Sequence, residues 1–377
     1  MKIRMKRPWR MAALAGLSGL LCGCAELGYM VQAAHGQSAL LSAARPIDDW
    51  LADPQVKLSL KSKLATTQTI RAFAVRELAL PDNASYTTYA VLRQPFVLWN
   101  VIATPALSLK PKQWCFPVAG CVSYRGYYQQ EQAEAEALEL RAEGYDVQVA
   151  GVPAYSTLGW FKDPVISTFI HYPDAELARL IFHELAHQVV YAPGDSAFNE
   201  SFATTVEQAG LLRWLDVYGD AQMRQSYLVY AGRKRDFLAL LLRHRRQLEA
   251  NYASRILDAE KLSQKAEIFQ ALQQEYQTLK QSWGGYAGYD RWFAEPLSNA
   301  HLAALATYHD LVPGFRALLQ KDQRFERFYA DVKALAHLDR QERRRRLLEF
   351  AQARSVACVG DPLLSGSNVQ SDLSPAC

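Results

Sequence analysis

The sequence predicts an α+β fold, predominantly α-helical, with a small β-sheet and a long helical hairpin. Three observations predict it. Strand character is confined to residues 86 to 126 and to Asp146 to Val152. Nearly everything after Pro164 carries helical apolar spacing. Residues 219 to 283 are charged yet regularly apolar, through Phe237, Leu241, Leu248, Tyr252, Ile268, Leu272 and Leu279. That pattern reads as two long helices forming a hairpin. The chain has 377 residues, 50% hydrophobic and 21% charged. Such a balance excludes disorder, collagen and coiled coil as the main theme and allows a sizeable core.

The elements follow in order. Residues 25 to 50 are mostly helical in pattern. Residues 56 to 79 read as a helix, with Leu60, Leu64, Ile70, Phe73, Ala74 and Leu78 near helical spacing, and Pro81-Asp82-Asn83 stops it. Tyr86, Tyr89, Val91, Phe96, Val97, Trp99, Val101, Val122 and Tyr124 give strand character, interrupted by Pro and Gly. Gln129 to Ala142 is a helix ended by Gly144. A further helix runs from Ala175 to Val190, with Asp174 as its cap and Pro193-Gly194 as its end. Arg343 to Arg346 is a basic run on a solvated helix face, and the tail 359–377 reads as irregular. There is no internal repeat, and 51–377 reads as a single unit.

The formal charge of +4 does not point to nucleic acid. Residues 1–23 hold five basic residues and no acid; without them Lys+Arg falls from 42 to 37 against 38 acids, a net of −1. Those residues have the build of a secretory signal: a basic stretch to Arg10, an apolar run from Met11 to Cys22, then small residues. No run of about 18 apolar residues occurs, so no membrane-spanning helix is expected. Leu21-Cys22-Gly23-Cys24 resembles a bacterial lipobox, with Cys24 as the lipidated residue. The resemblance implies a signal peptide over 1–23 and a lipid-anchored segment over 24–50. Ala25 after Cys24 resembles an outer-membrane sorting signal. The expected location is therefore the cell envelope, on the periplasmic face of the Gram-negative outer membrane.

An oxidising compartment makes the four remaining cysteines disulfide candidates. Pro117 and Gly120 favour a turn between Cys115 and Cys121, and Cys358 with Cys377 would close the tail. Three pairings are possible, and adjacent pairing is the one adopted.

The most informative string is Ile181-Phe182-His183-Glu184-Leu185-Ala186-His187-Gln188, an H-E-x-x-H motif. Histidines four apart on a helix share a face and can share one metal ion, with Glu184 beside it to take a proton from water. Flanking Leu180, Ile181, Phe182, Val189 and Val190 predict a buried helix, whose two His and Glu need partners. A second helix begins at Phe198-Asn199-Glu200-Ser201-Phe202-Ala203, and Glu207 follows Glu200 by seven residues on the same face. A hairpin through Tyr191 to Ala197 would bring Glu200 to His183 and His187. Two His and one Glu with an open fourth position is the arrangement of a catalytic zinc.

These strings resemble the gluzincin metallopeptidases, especially the aminopeptidase branch with its N-E-G-F-A string. The resemblance implies a zincin-like core over the metal helices 174–215, with His183, His187 and Glu200 as Zn2+ ligands. It implies Glu184 as general base and Glu207 as the group that orients a ligand. Ser201 stands where that branch has Gly, 12 residues separate His187 from Glu200, and the G-x-M-E-N string is missing. Over nearly the whole mature chain the sequence resembles the bacterial putative aminopeptidase family of periplasmic lipoproteins. Trp114 to Cys121, Gly151 to Phe161 and the two metal helices carry that resemblance.

The expected reaction is hydrolysis of a peptide substrate. The tetrahedral oxyanion needs a donor besides the metal, and Tyr155, Tyr308 and His309 are the candidates. An aminopeptidase also needs an anion for the substrate amine, for which Asp163 and Glu207 are available. Two alternatives stand beside it: a zinc endopeptidase acting on envelope proteins, and a non-catalytic zinc lipoprotein. A fourth protein ligand would favour the latter. The sequence carries no expectation about oligomeric state.

Overall fold

The computed structural model describes residues 27–116, 120–303 and 311–359, with the backbone alone for 353–359. Among these, helices dominate and strands are short, so the α+β, predominantly helical class holds. A helix α1 over 27–43 leads into β1 (Ala44–Pro46), α2 (Ile47–Ala52) and α3 (Leu58–Leu78). Strands β2 (Thr88–Ala90), β3 (Leu98–Pro105), β4 (Trp114–Phe116), β5 (Gly120–Val122) and β6 (Arg125–Tyr127) follow. Then come α4 (Gln130–Ala142), β7 (Tyr145–Val152) and β8 (Val165–Ile166). The rest is helical: α5 (Asp174–Ala186), α6 (Ser196–Tyr218), α7 (Ala221–Ala253), α8 (Asp258–Ser282) and α9 (Asn299–Ala303). Three more complete it: α10 (Val312–Asp322), α11 (Phe325–Ala336) and α12 (Arg340–Val359). No helix among the described residues is long and apolar enough to cross a membrane.

The strands form three small sheets rather than one. Their orders are β1-β2-β8, β6-β3-β7 and β4-β5. Pro and Gly break the strand-rich stretch into pieces too short for one continuous ladder. Only β3 and β7 pair at length, antiparallel from Leu98 opposite Val152 to Pro105 opposite Tyr145. β8 pairs parallel to β2, a strand within a region whose spacing had predicted helix.

Three apolar clusters hold the chain. The largest packs α3, α5, α6 and α10–α12, with Phe73, Phe182, Phe198, Phe202, Phe315 and Phe328 buried. The second lies between α4 and the β3–β7 pair. The third belongs to the hairpin: Phe237, Leu240, Leu241 and Leu248 of α7 against Phe269, Leu272 and Tyr276 of α8. Their spacing of three, four and seven puts them on one face of each helix.

α5 and α6 carry the site and sit in the largest cluster. α5 forms because Ala, Leu, Glu and Arg favour helix and because Leu177, Ala178, Ile181, Phe182 and Leu185 make a buried stripe. Its N-terminus differs from expectation. Pro173 is the N-cap and Asp174 the first helical residue; the Asp174 carboxylate accepts from Lys63 Nζ at 2.6 Å instead of capping. α6 approaches closely at Gly210, where an added Cβ would lie 2.6 Å from Leu78 Cδ1 and 3.0 Å from Phe182 Cδ2. Only a residue without a side chain permits that approach.

Candidate metal centre

α5 ends at Ala186, one residue before His187, which is its C-cap. The last turn tightens: Gln188 N–H donates to Leu185 O and Val189 N–H to Ala186 O. The chain then turns through Pro193-Gly194, with Gly194 at a φ of 75° that favours glycine. Asp195 caps α6 by accepting from Phe198 N–H at 3.2 Å. Asn199 closes the turn. Its Oδ1 accepts from Ala192 N–H at 2.8 Å and its Nδ2 donates to Ala192 O at 2.9 Å. With Asn199 holding the loop, Glu200 comes over the histidines.

The three sequence-predicted ligands meet. His183 Nε2 lies 3.2 Å from His187 Nε2 and 3.2 Å from Glu200 Oε2, while Glu200 Oε1 is 3.8 Å from His187 Nε2. One donor atom from each residue falls within 4.8 Å of the others, so the group can hold a metal ion. A tetrahedral zinc with bonds of about 2.0–2.1 Å would separate its nitrogen donors by about 3.3 Å. The donor set therefore fits that ion in type and spacing. Without a cation, two imidazole nitrogens aimed at one another compete for a single proton.

Glu207 and Arg179 support this set from beneath. Glu207 is 2% exposed, and its Oε2 lies 2.9 Å from His183 Nδ1 and 2.8 Å from Arg179 Nη1. Arg179 also donates from Nε to Glu176 at 2.8 Å. When His183 Nδ1–H donates to Glu207, Nε2 is left with its lone pair aimed at the other donors. His187 is held differently: its buried Nδ1 has no hydrogen-bond partner among the described residues.

The charges follow from burial and these partners. Burial lowers the His183 pKa, but the hydrogen bonds it donates to Glu200 and Glu207 outweigh that and raise it to about 10. At His187 burial wins and the value falls to about 4. Burial raises Glu207, yet the Arg179 charge outweighs it and holds it at about 2. Burial pushes Glu184 up to about 7, opposed by His183. Glu184 borders the same cavity, and among the described residues its carboxylate accepts no hydrogen bond.

That cavity has a volume of about 690 Å³. Its floor is α5 and α6. One wall comes from Asn100 and Val152 of the β3–β7 pair, with Tyr155, Ser156 and Leu158 beyond. Another is the β4–β5 hairpin, with Phe116, Val122 and Tyr124. Cys115 and Cys121 are joined by a disulfide that closes this hairpin. A third wall is α7, through Tyr230, Lys234, Phe237 and Leu238.

The remaining candidates are placed as follows. Tyr155 borders the cavity, but its hydroxyl lies 2.6 Å from that of Tyr128 and also bonds Gln37. Tyr308 and His309 lie outside the described residues, as do Cys24 and Cys377; Cys358 is described in backbone alone. Asp163 is 3% exposed and ties the 157–163 loop to the end of α5, accepting from Thr157 N–H at 3.0 Å, Thr157 Oγ1 at 2.6 Å and Gln188 Nε2 at 3.3 Å. It does not line the cavity.

Sequence reasoning missed four groups. Arg179 had a signal, since it precedes His183 by one helical turn. Tyr124 and Tyr191 line the cavity, and at Tyr191 burial, with the charge of Glu200, raises the hydroxyl pKa. Lys234 arrives from α7, and no local pattern announces it.

Two helices thus present three convergent donors and an adjacent carboxylate to a cavity of about 690 Å³. Residues 28–347 match the putative aminopeptidase family, and the chain belongs to that family. No curated protein and no solved structure matches it.

Proposed function

We propose that the protein is a zinc-dependent metallopeptidase, an aminopeptidase that hydrolyses peptides in the bacterial periplasm. The observation that carries this reading is the convergence of His183, His187 and Glu200 in a cavity that also holds the carboxylate of Glu184. His183 Nε2, His187 Nε2 and Glu200 would hold the ion. Zinc in such a site supplies Lewis acidity and brings the pKa of water toward about 7.

This chain's own groups do the rest. Glu184, which borders the same cavity beside the donors, accepts the proton of the attacking water as its oxygen bonds the scissile carbon. It returns that proton to the leaving amine as the C–N bond breaks. Glu207 holds the His183 ring in its working tautomer. Tyr124 and Tyr191 line the same cavity, and their hydroxyls are the candidates to donate to the tetrahedral oxyanion. A lipid anchor at Cys24 would keep this chemistry at the outer membrane, as the sequence around it implies.

One observation favours a zinc endopeptidase as the second reading. Among the described residues, neither anion suggested for the substrate amine is free: Asp163 staples a loop and Glu207 is held by Arg179 and His183.

The test uses the chain from Ala25, wild type beside Glu184→Gln, with bound metal and cleavage measured together. Zinc at one per chain in both, with only wild type cleaving free-amine peptides, is the expected result. Cleavage of N-blocked peptides would move the reading to endopeptidase. Absence of zinc would sink both.

A further inference from the structure

The cavity wall contributed by α7 carries a charge that the proposed reaction does not use. Tyr230, Lys234, Phe237 and Leu238 recur at helical spacing, so one face of α7 borders the cavity that holds the metal donors. The other guanidinium or ammonium lining the cavity among the described residues is Arg179, which is neutralised by Glu176 and Glu207. Lys234 differs. It is half-buried, and no described residue accepts a hydrogen bond from it or forms an ion pair with it. Burial lowers its pKa, and the charges of Glu207 and Glu176 only partly oppose that. Its neighbour Tyr230 stays neutral, raised to about 12 by burial. A half-buried ammonium without a counterion is costly, and a ligand anion removes that cost.

The chemistry of the anion follows from the rest of the cavity. Glu184, Glu200 and Glu207 make the floor acidic, which disfavours a dianion such as a phosphate monoester. One lysine is a point charge, whereas phosphate sites typically combine several donors. We infer that Lys234 is a specificity-determining residue that binds a carboxylate of the peptide substrate, so that the cleft selects peptides bearing a carboxylate near the scissile bond. This rests on the peptidase reading above. The carboxylate is either the C-terminus of a short peptide or an acidic side chain.

The test is binding without turnover, on the zinc-loaded Glu184→Gln chain. Calorimetry compares Ala-Ala-Ala, its C-terminal amide, and the amide of Ala-Glu-Ala. The free acid should bind about tenfold more tightly than its amide, which corresponds to about 1.4 kcal/mol. Adding Lys234→Met should abolish that preference with zinc content unchanged, and Lys234→Arg should keep most of it. Recovery of affinity by the Ala-Glu-Ala amide would assign the carboxylate to a side chain; its failure would assign it to the C-terminus. Equal binding of all three peptides, no binding of any probe, a carboxylate preference that survives Lys234→Met, or loss of zinc in that variant would each overturn the inference. Turnover by the wild-type chain is scored separately. An acid preference without turnover would sink the peptidase reading and leave the carboxylate site standing.

Discussion

The floor of the cavity and its α7 wall are built by opposite means. On the floor, every essential group sits a few residues from another on one of two adjacent helices. His183 and His187 are one turn apart, Glu200 and Glu207 two turns apart, and Asn199 folds the intervening loop. On the wall, Lys234 and Tyr230 reach the same cavity from a helix that packs on α8 through its own apolar cluster, while Met223 and Tyr227 near its start also touch the floor's cluster. The floor can therefore fix donor geometry to fractions of an ångström through local helical spacing. The wall decides what else fits in the cavity.

The comparison is broken most directly at the floor. Glu184→Gln should lower kcat/KM by about a thousandfold, the usual scale for losing a general base, while zinc stays at one per chain. Steady-state kinetics beside metal analysis checks both halves, and retained activity would remove Glu184 from the reaction. On the wall side, Leu272→Ala opens a cavity in the hairpin core, where Leu272 is fully buried. It should cost about 2–5 kcal/mol in urea unfolding, with zinc affinity unaltered if wall and floor are independent. Coupled loss of zinc would show that they are not.

A pH effect should also divide the two regions. His301 of α9, beside the hairpin cluster, is 4% exposed, and burial lowers its pKa to about 4. The unfolded chain binds this proton near pH 6.5 and the folded chain does not. The contribution is therefore complete above pH 6.5 and is lost as pH falls from 6.5 to 4. Linkage puts the loss at roughly 3 kcal/mol. His301→Gln should flatten that part of the stability profile, measured by urea titration across the range. An unchanged slope would mean that His301 does not titrate there. The smallest expected effect returns to the floor. Glu207→Gln keeps the shape but removes the charge that Arg179 and His183 share. It should weaken zinc affinity or activity by about 10- to 100-fold, read from competition with a chelator.

Legibility in the sequence followed the same division. The helical class and the α7–α8 hairpin were readable because apolar residues recur at helical spacing over many turns. The strand region was read only as a region. Which short pieces pair, and that they make three sheets, depends on contacts between distant segments. Asp174 looked like a cap, but Lys63, 111 residues earlier, claims its carboxylate. Tyr155 did reach the cavity, yet Tyr128 and Gln37 hold its hydroxyl, and neither is near it in sequence.

By itself the sequence pointed to His183, His187 and Glu200, because helical periodicity puts residues four apart on one face and a short Pro-Gly loop allows the next helix to return beside it. Only the tertiary structure decided that Glu207 is bound to Arg179 and His183, that Asp163 faces a loop rather than the cavity, and that a lysine from α7, unpaired among the described residues, lines it. Those outcomes rest on packing between elements far apart in the chain. Burial and the partners it brings, not the residue types alone, set the charge and the freedom of each group.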